Sequence, residues 1–216
     1  MRDFLTNIRV VVLAVGLTMA GGAGATTLSG AINADDAFAA YSSTSESSLG
    51  TLIASGDSWP TTYTFNVPSL EAGQTYYLNI IVNDVYGPPT SFLGTFSLSD
   101  SEFAFANGTQ ALTTNTTDWA VSQGIGSWTY PTGAPVSLGT NGVAPWGYQG
   151  GQSSSATWLW TSTDFSTATT SWFSTKISPT SPVPEPSTAL LLGLGLVGMA
   201  ARRRVWGIGH TSCILA

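Results

Sequence analysis

Short runs of β-branched and aromatic residues recur along the middle of the chain, separated by Gly, Pro, Asn and Asp. Side chains two residues apart share one face of a strand, and Tyr63, Phe65 and Val67 follow this alternation. About eight short strands bounded by turn residues are typical of a β-sandwich. The pattern predicts strands at residues 49–54, 61–67, 75–82, 91–98, 102–106, 119–122, 156–162 and 171–177.

The segments between these strands predict three connections. Residues 71–74 (EAGQ) predict a tight hairpin turn, and residues 84–89 (DVYGPP) predict a long turn. Residues 124–155 are rich in Gly, Pro, Ser and Thr and predict a long loop region or a pair of loops. We therefore expect an all-β, jelly-roll-like β-sandwich ectodomain over residues 26–178.

The first 25 residues depart from this pattern. A short polar stretch with Arg2 and Arg9 precedes the apolar run 10–20, and small residues end the segment. Eleven apolar residues are too few for the roughly 20 that a membrane-spanning helix needs, so the segment predicts a secretory signal peptide. Ala23 and Ala25 provide the small side chains of a cleavage site, and cleavage is expected after Ala25. Export through the Sec machinery follows from this assignment.

The other end of the chain carries three segments in a fixed order. Residues 179–188 are rich in proline, which excludes a helix or a central strand and favours an extended spacer. Residues 189–201 are small or apolar, and a helix of this length measures roughly 20 Å against a hydrocarbon core of about 30 Å. Three arginines follow and are expected to stay cytoplasmic under the positive-inside rule. The pattern predicts a single short transmembrane helix with its basic cluster over 189–204, and an atypical tail over 205–216.

This tail resembles the PEP-CTERM sorting signal, in which a Val-Pro-Glu-Pro motif precedes an apolar helix and a terminal basic cluster. The resemblance implies recognition by an exosortase, a membrane enzyme of Gram-negative bacteria that make extracellular polysaccharide. It also implies a transient inner-membrane anchor and release to the cell surface or matrix. It assigns the sorting signal to Val183, Pro184, Glu185, Pro186, Arg202, Arg203 and Arg204. Residues 205–216 depart from the family, which normally ends near its basic cluster, and a plain C-terminal membrane anchor is the alternative.

Charge separates the ends of the chain from its middle. Five of the six basic residues lie in the two end segments, so residues 26–182 contain ten carboxylates and Lys176 as their only basic residue. His210 and Cys213 are the only His and Cys, and both lie beyond the sorting segment. The domain therefore lacks the bases of Ser-His-Asp and Cys-His systems and the usual zinc ligands. Its net negative charge excludes nucleic acid as a partner.

Two carboxylate chemistries remain open for this domain. A pair of carboxylates can cleave a glycan, and the candidate pairs are Asp35 with Asp36 and Asp100 with Glu102. Exposed edge charges are the alternative interpretation of both pairs. Carboxylates and carbonyls can also hold calcium, although no EF-hand loop or Gly-Asp repeat is present to support this. We expect no cofactor and no catalytic residue.

Four aromatic residues stand outside any predicted strand, in the loop region 124–155. Aromatic rings beside amides and carboxylates form sugar-binding surfaces, because the ring covers the apolar face of a sugar while the polar groups bind its hydroxyls. The alternative is that these rings close the open ends of the sandwich. The candidate glycan-binding residues are Trp128, Tyr130, Trp146 and Tyr148.

These observations predict a non-enzymatic exported protein with a structural or adhesive role in a biofilm or extracellular matrix. The first alternative is a carbohydrate-binding module for extracellular polysaccharide. The second is a glycan-cleaving enzyme that uses two carboxylates.

Overall fold

The structure is a computed structural model that describes residues 25–163 and 170–180. The described residues form twelve β-strands, which are numbered in chain order. They are β1 (Thr26–Asp35), β2 (Ala37–Ser43), β3 (Thr51–Gly56), β4 (Tyr63–Leu70), β5 (Tyr76–Asn83), β6 (Ser91–Leu98), β7 (Phe103–Phe105), β8 (Ala111–Thr113), β9 (Ala120–Gln123), β10 (Val136–Thr140), β11 (Thr157–Trp160) and β12 (Thr170–Pro179).

These strands form two antiparallel sheets of six strands each. Sheet A has the order β10-β11-β6-β1-β4, with β8 also paired to β6. Sheet B has the order β3-β2-β5-β12-β7, with β9 also paired to β12. The all-β prediction is confirmed, and the two sheets form a β-sandwich-like fold. The jelly-roll arrangement stays a prediction.

The inner faces of the two sheets share one apolar core. Ile32 of sheet A and Leu78 of sheet B are both fully buried in it. Phe92 of β6 and Phe173 of β12 have ring centroids 5.1 Å apart, which places the two sheets in direct contact. Full burial of a large apolar side chain stabilises a fold by about 1.5–3 kcal/mol, so this shared core holds the sheets together.

All eight predicted strands are present, as β3 to β7, β9, β11 and β12. The sequence pattern misses β1, β2, β8 and β10, although β1 lies inside sheet A, between β6 and β4. The small residues of β1 explain why. A Cβ at Gly30 would overlap the Phe65 ring and lie 2.7 Å from Cδ1 of Phe96, so aromatic rings of the neighbouring strands fill the space above this glycine.

Residues 71–74 form a tight turn, as predicted, but the prediction that this turn closes a hairpin is wrong. The amide of Gln74 donates to the carbonyl of Glu71 at 3.2 Å, which closes a tight turn. This turn joins β4 of sheet A to β5 of sheet B, so the two strands do not pair. A local sequence pattern reports the turn but not the sheet to which the next strand belongs.

Residues 124–155 form a pair of loops, one of the two arrangements that the sequence predicts, with a strand between them. This strand is β10, which pairs with β11 at the edge of sheet A. The strand divides the region into two shorter loops, 124–135 and 141–155.

Several predicted segments lie outside the described residues. They are the signal peptide up to residue 24, the sorting segment from residue 181 and the tail 205–216. Within 25–163 and 170–180, the structure contains no helix of the length and apolar character that a membrane span requires.

Candidate functional site

A cleft of about 660 Å³ opens at the end of β1, where the chain passes from sheet A to sheet B. We call it the end cleft. Loops from both sheets meet here, because β1 ends opposite the start of β6, and β2 starts opposite the end of β5. The cleft is lined by Asp35, Asp36, residues 57–60, residues 86–89, Pro145 and Trp146.

Three polar residues at the end of β1 each hold one aromatic residue of the cleft. Asn33 donates from Nδ2 to the carbonyl of Trp59 at 3.1 Å. Asp35 accepts at Oδ2 a hydrogen bond of 2.8 Å from the indole Nε1 of Trp146. Asp36 accepts at Oδ2 the backbone amide of Tyr86, also at 2.8 Å. A single stretch of four residues therefore positions three separate loops.

A buried amide network lies beneath the loop 141–155. Asn33 is completely buried, although it lies on the outer face of sheet A. Its Oδ1 accepts from Nε2 of Gln152 at 2.9 Å, and its Nδ2 donates to Oε1 of Gln149 at 3.2 Å. The backbone amide of Gln149 donates in turn to Oδ1 of Asn141 at 2.8 Å. Satisfied buried amides of this kind hold a loop in one conformation.

The carboxyl groups of Asp35 and Asp36 hydrogen-bond to each other, and their pKa values move in opposite directions. The pKa of Asp35 is raised from 3.8 to about 7, chiefly by burial and next by the hydrogen bond with Asp36, while the hydrogen bond from the Trp146 indole acts to lower it. Burial also acts to raise the pKa of Asp36, but hydrogen bonds from Asp35 and from the Tyr86 and Val85 amides lower it overall. The pair therefore shares one proton below neutral pH, with Asp36 as the ionised member.

This geometry can be compared with the two chemistries considered for the carboxylates, glycan cleavage and calcium binding. Glycan-cleaving carboxylates stand about 5–10 Å apart to leave room for a sugar or a water. Asp35 and Asp36 are in direct hydrogen-bond contact, which is closer than that range. Within residues 25–163 and 170–180, no group of three or more His, Cys, Asp or Glu residues could hold a metal ion.

The other candidate pair lies at the opposite end of β1. Asp100 accepts at Oδ1 the hydroxyl of Thr26 at 2.7 Å and the backbone amide of Glu102 at 3.0 Å. The hydrogen bond from Thr26, followed by that from Glu102, lowers the pKa of Asp100. The Asp100 carboxylate therefore closes a turn with its neighbours.

The four predicted glycan-binding aromatic residues lie in different places. Trp128 packs on Trp172 of sheet B, with ring centroids 5.3 Å apart, and Tyr130 packs on Tyr77 of the same sheet. Trp146 is buried and forms a wall of the end cleft.

Tyr148, the fourth, is 68% exposed and does not line the cleft. The structure thus brings only Trp146 to a cavity with carboxylates, and glycan binding by the other three stays a prediction.

The sequence pattern misses Trp59 and Tyr86, the two exposed rings of the end cleft. Trp59 is 37% exposed and Tyr86 is 85% exposed. One signal in the sequence could have found them. Each is an aromatic residue beside proline or glycine in a turn, in Ser58-Trp59-Pro60 and Tyr86-Gly87, where no strand face is available to bury the ring.

Comparison with known families identifies the C-terminal tail. The model of the PEP-CTERM protein-sorting motif matches residues 182–204. The chain carries a PEP-CTERM protein-sorting motif. The resemblance stated from the sequence is confirmed, and the motif indicates an exported protein that is targeted to an exosortase and reaches the cell surface or the extracellular space. No curated protein and no solved structure gives a significant match.

Proposed function

We propose that the protein is a structural or adhesive component of the cell surface or extracellular matrix, and that an exosortase releases it from a transient inner-membrane anchor. The observation that carries this proposal is the sorting motif at residues 182–204. The acidic β-sandwich-like domain, with Lys176 as its only basic residue, is the part delivered to biofilm or exopolysaccharide.

The position of β1 supports signal-peptide removal after Ala25. The strand begins at Thr26, and Thr26 is buried with its hydroxyl bound to Asp100. Cleavage at the proposed site would therefore leave β1, an interior strand of sheet A, intact. The assigned sorting residues are Val183 to Pro186 and Arg202 to Arg204.

The test compares the protein produced by hosts with and without the exosortase. We expect the exosortase host to yield a matrix-associated protein without the residues that follow the sorting motif, as measured by intact mass. The host without exosortase should retain a membrane-bound, full-length C-terminus. Glu185→Ala should mimic the loss of exosortase, whereas the exposed Glu102→Ala is the matched control and should be processed normally. An identical C-terminal mass in both hosts would show that the tail is a plain anchor.

A carbohydrate-binding module for extracellular polysaccharide is the second candidate function. The end cleft favours it, because exposed aromatic rings and carboxylates line one cavity. Binding to polysaccharide in an affinity gel tests this candidate independently of sorting.

A further inference from the structure

We propose that the end cleft binds a glycan chain of neutral or amino sugars, which lies against the rings of Trp59 and Tyr86. This inference rests on the carbohydrate-binding candidate function and adds the site and the sugar class. The cleft volume of about 660 Å³ falls within the range of small-molecule sites, about 300–1,000 Å³.

Two exposed rings give the cleft its apolar surface. Trp59 and Tyr86 carry large ring faces to solvent, and they lie on the β3–β4 loop and the β5–β6 loop respectively. Such rings offer a flat apolar face with a polar edge, which suits the C–H face and hydroxyl rim of a pyranose. Isolated exposed rings need no explanation, but these two line the same cleft.

The backbone that carries the rings is already ordered. The carbonyl of Trp59 is bound to the buried Asn33, and the amide of Tyr86 is bound to Asp36. Pro60 follows the first ring and Pro88 lies close after the second, and proline restricts the backbone further. A surface that is ordered before binding loses little conformational entropy when the ligand arrives.

Polar groups of the cleft can bind sugar hydroxyls. Asp57, Ser58 and the Asp35–Asp36 pair line the cleft beside the rings. Asp57 is exposed, and its Oδ1 accepts the hydroxyl of Tyr63 at 3.3 Å, which orients the carboxylate. Carboxylate oxygens accept hydrogen bonds from hydroxyl and ammonium groups alike.

Charge selects the sugar class. Three carboxylates line the cleft, and the pKa of Asp35 is influenced by a further carboxylate, that of Asp84. Lys176 is the only basic residue between residues 26 and 182. In the strand pairing it stands opposite Tyr77, at the end of β5 that is far from the cleft. An acidic glycan would meet repulsion with no cation to offset it, whereas neutral sugars avoid the repulsion and amino sugars are attracted.

The test measures binding of the processed, secreted protein to three β-1,4-linked hexasaccharides by calorimetry. The probes are hexamers of glucose, glucosamine and mannuronate. We expect binding of the first two and none of the mannuronate hexamer. Trp59→Ala and Tyr86→Ala should each weaken binding by about tenfold or more, since truncation of a central aromatic contact costs over 1 kcal/mol. Tyr86→Phe should keep most of the affinity because it keeps the ring.

Tyr148→Ala is the matched control, since Tyr148 is an exposed tyrosine outside the cleft lining. It should leave binding unchanged. If the hexamers bind but only Tyr148→Ala weakens binding, the site is wrong and the carbohydrate-binding function stands. Equal binding of the mannuronate hexamer would overturn the sugar class. Absence of binding to all three hexamers would overturn both the inference and the function on which it rests.

Discussion

The two ends of β1 carry acidic side chains in different surroundings. At the start of the strand, Asp100 closes a turn with Thr26 and Glu102 near the surface. At its end, the buried Asp35 and its neighbour Asp36 share a hydrogen bond within the end cleft. Both ends use carboxylates as hydrogen-bond acceptors, but the pKa of Asp100 is lowered and that of Asp35 is raised.

This difference shows that hydrogen-bond donors favour the ionised form of an aspartate, whereas burial favours its protonated form. Asp100 is stabilised as an anion because hydrogen-bond donors surround it and water screens it. Asp35 is removed from water and lies beside another carboxylate, so its protonated form is favoured. The first end is structural. The second end adds aromatic rings and a cavity, and it is the end at which we propose ligand binding.

The largest effect is expected at the wall of the cleft. Trp146→Ala should reduce the free energy of unfolding by about 3–5 kcal/mol, the usual cost of truncating a buried tryptophan. Trp146 stacks on Trp158 with ring centroids 4.9 Å apart and donates to Asp35. Urea unfolding followed by circular dichroism at pH 7 measures the loss.

Trp146→Phe is the control for this experiment, because it keeps a packed ring and removes the indole donor. Its loss should be smaller than that of Trp146→Ala. A loss below about 1 kcal/mol for Trp146→Ala, within the range of a surface substitution, would contradict the buried packing of loop 141–155.

The second effect is a loss of stability as the pH rises towards 7, which is expected at the buried end. Because the pKa of Asp35 is about 7 in the folded protein and 3.8 ordinarily, the folded state keeps a proton that the unfolded state releases. Stability from this group is complete below about pH 4 and is lost as the pH rises through 7. Asp35→Asn imitates the protonated form, so the variant should gain stability over the natural protein as the pH rises from 4 to 9, by up to about 4 kcal/mol.

Unfolding measured at pH 4, 7 and 9 checks this expectation. Asp36 has the opposite effect on stability. Because its pKa is lowered from 3.8 in the folded protein, the ionised carboxylate stabilises the fold above pH 3.8, and this stability is lost in acid. Both proteins should therefore still weaken in acid. Parallel stability curves for the natural protein and Asp35→Asn across pH 4 to 9 would refute the proton-sharing pair.

The smallest effect is expected at the exposed end of the strand. Asp100→Asn keeps an oxygen acceptor for Thr26 and Glu102, so it should cost less than about 1 kcal/mol at pH 7. Asp100 has a lowered pKa, and its charge therefore stabilises the fold above pH 3.8 and ceases to do so as acid protonates it. Thermal unfolding at pH 7 and pH 3 measures both values. A cost as large as that of Trp146→Ala would remove the contrast between the two ends.

Local sequence pattern predicts the strands that carry their own bulky side chains. Tyr63, Phe65 and Val67 alternate in β4, so the strand is recognisable without its neighbours. Gly30 in β1 is different, because Phe65 and Phe96 of the adjacent strands supply the bulk there. A strand whose core space is filled by side chains of the neighbouring strands shows no alternating pattern in its own sequence.

The candidate site is only partly predictable for a related reason. The Asp35–Asp36 pair is visible as two adjacent letters, and Trp146 is visible as an aromatic residue in a loop. The hydrogen bond between Asp35 and Trp146 joins residues 111 positions apart, so no local pattern contains it. Trp59 and Tyr86 reach the same cleft through their backbone bonds to Asn33 and Asp36.

The sequence by itself determined the export signal and the chemistry that the domain lacks. A sorting motif is a contiguous stretch, and residues 182–204 can be recognised without any knowledge of the fold. The absence of His and Cys from residues 26–182 is likewise a property of composition. Only the tertiary structure decided that one acidic pair is buried beside aromatic rings while the other closes a turn. Burial depends on which loops the two sheets bring together, and that arrangement arises from contacts between residues distant in the chain.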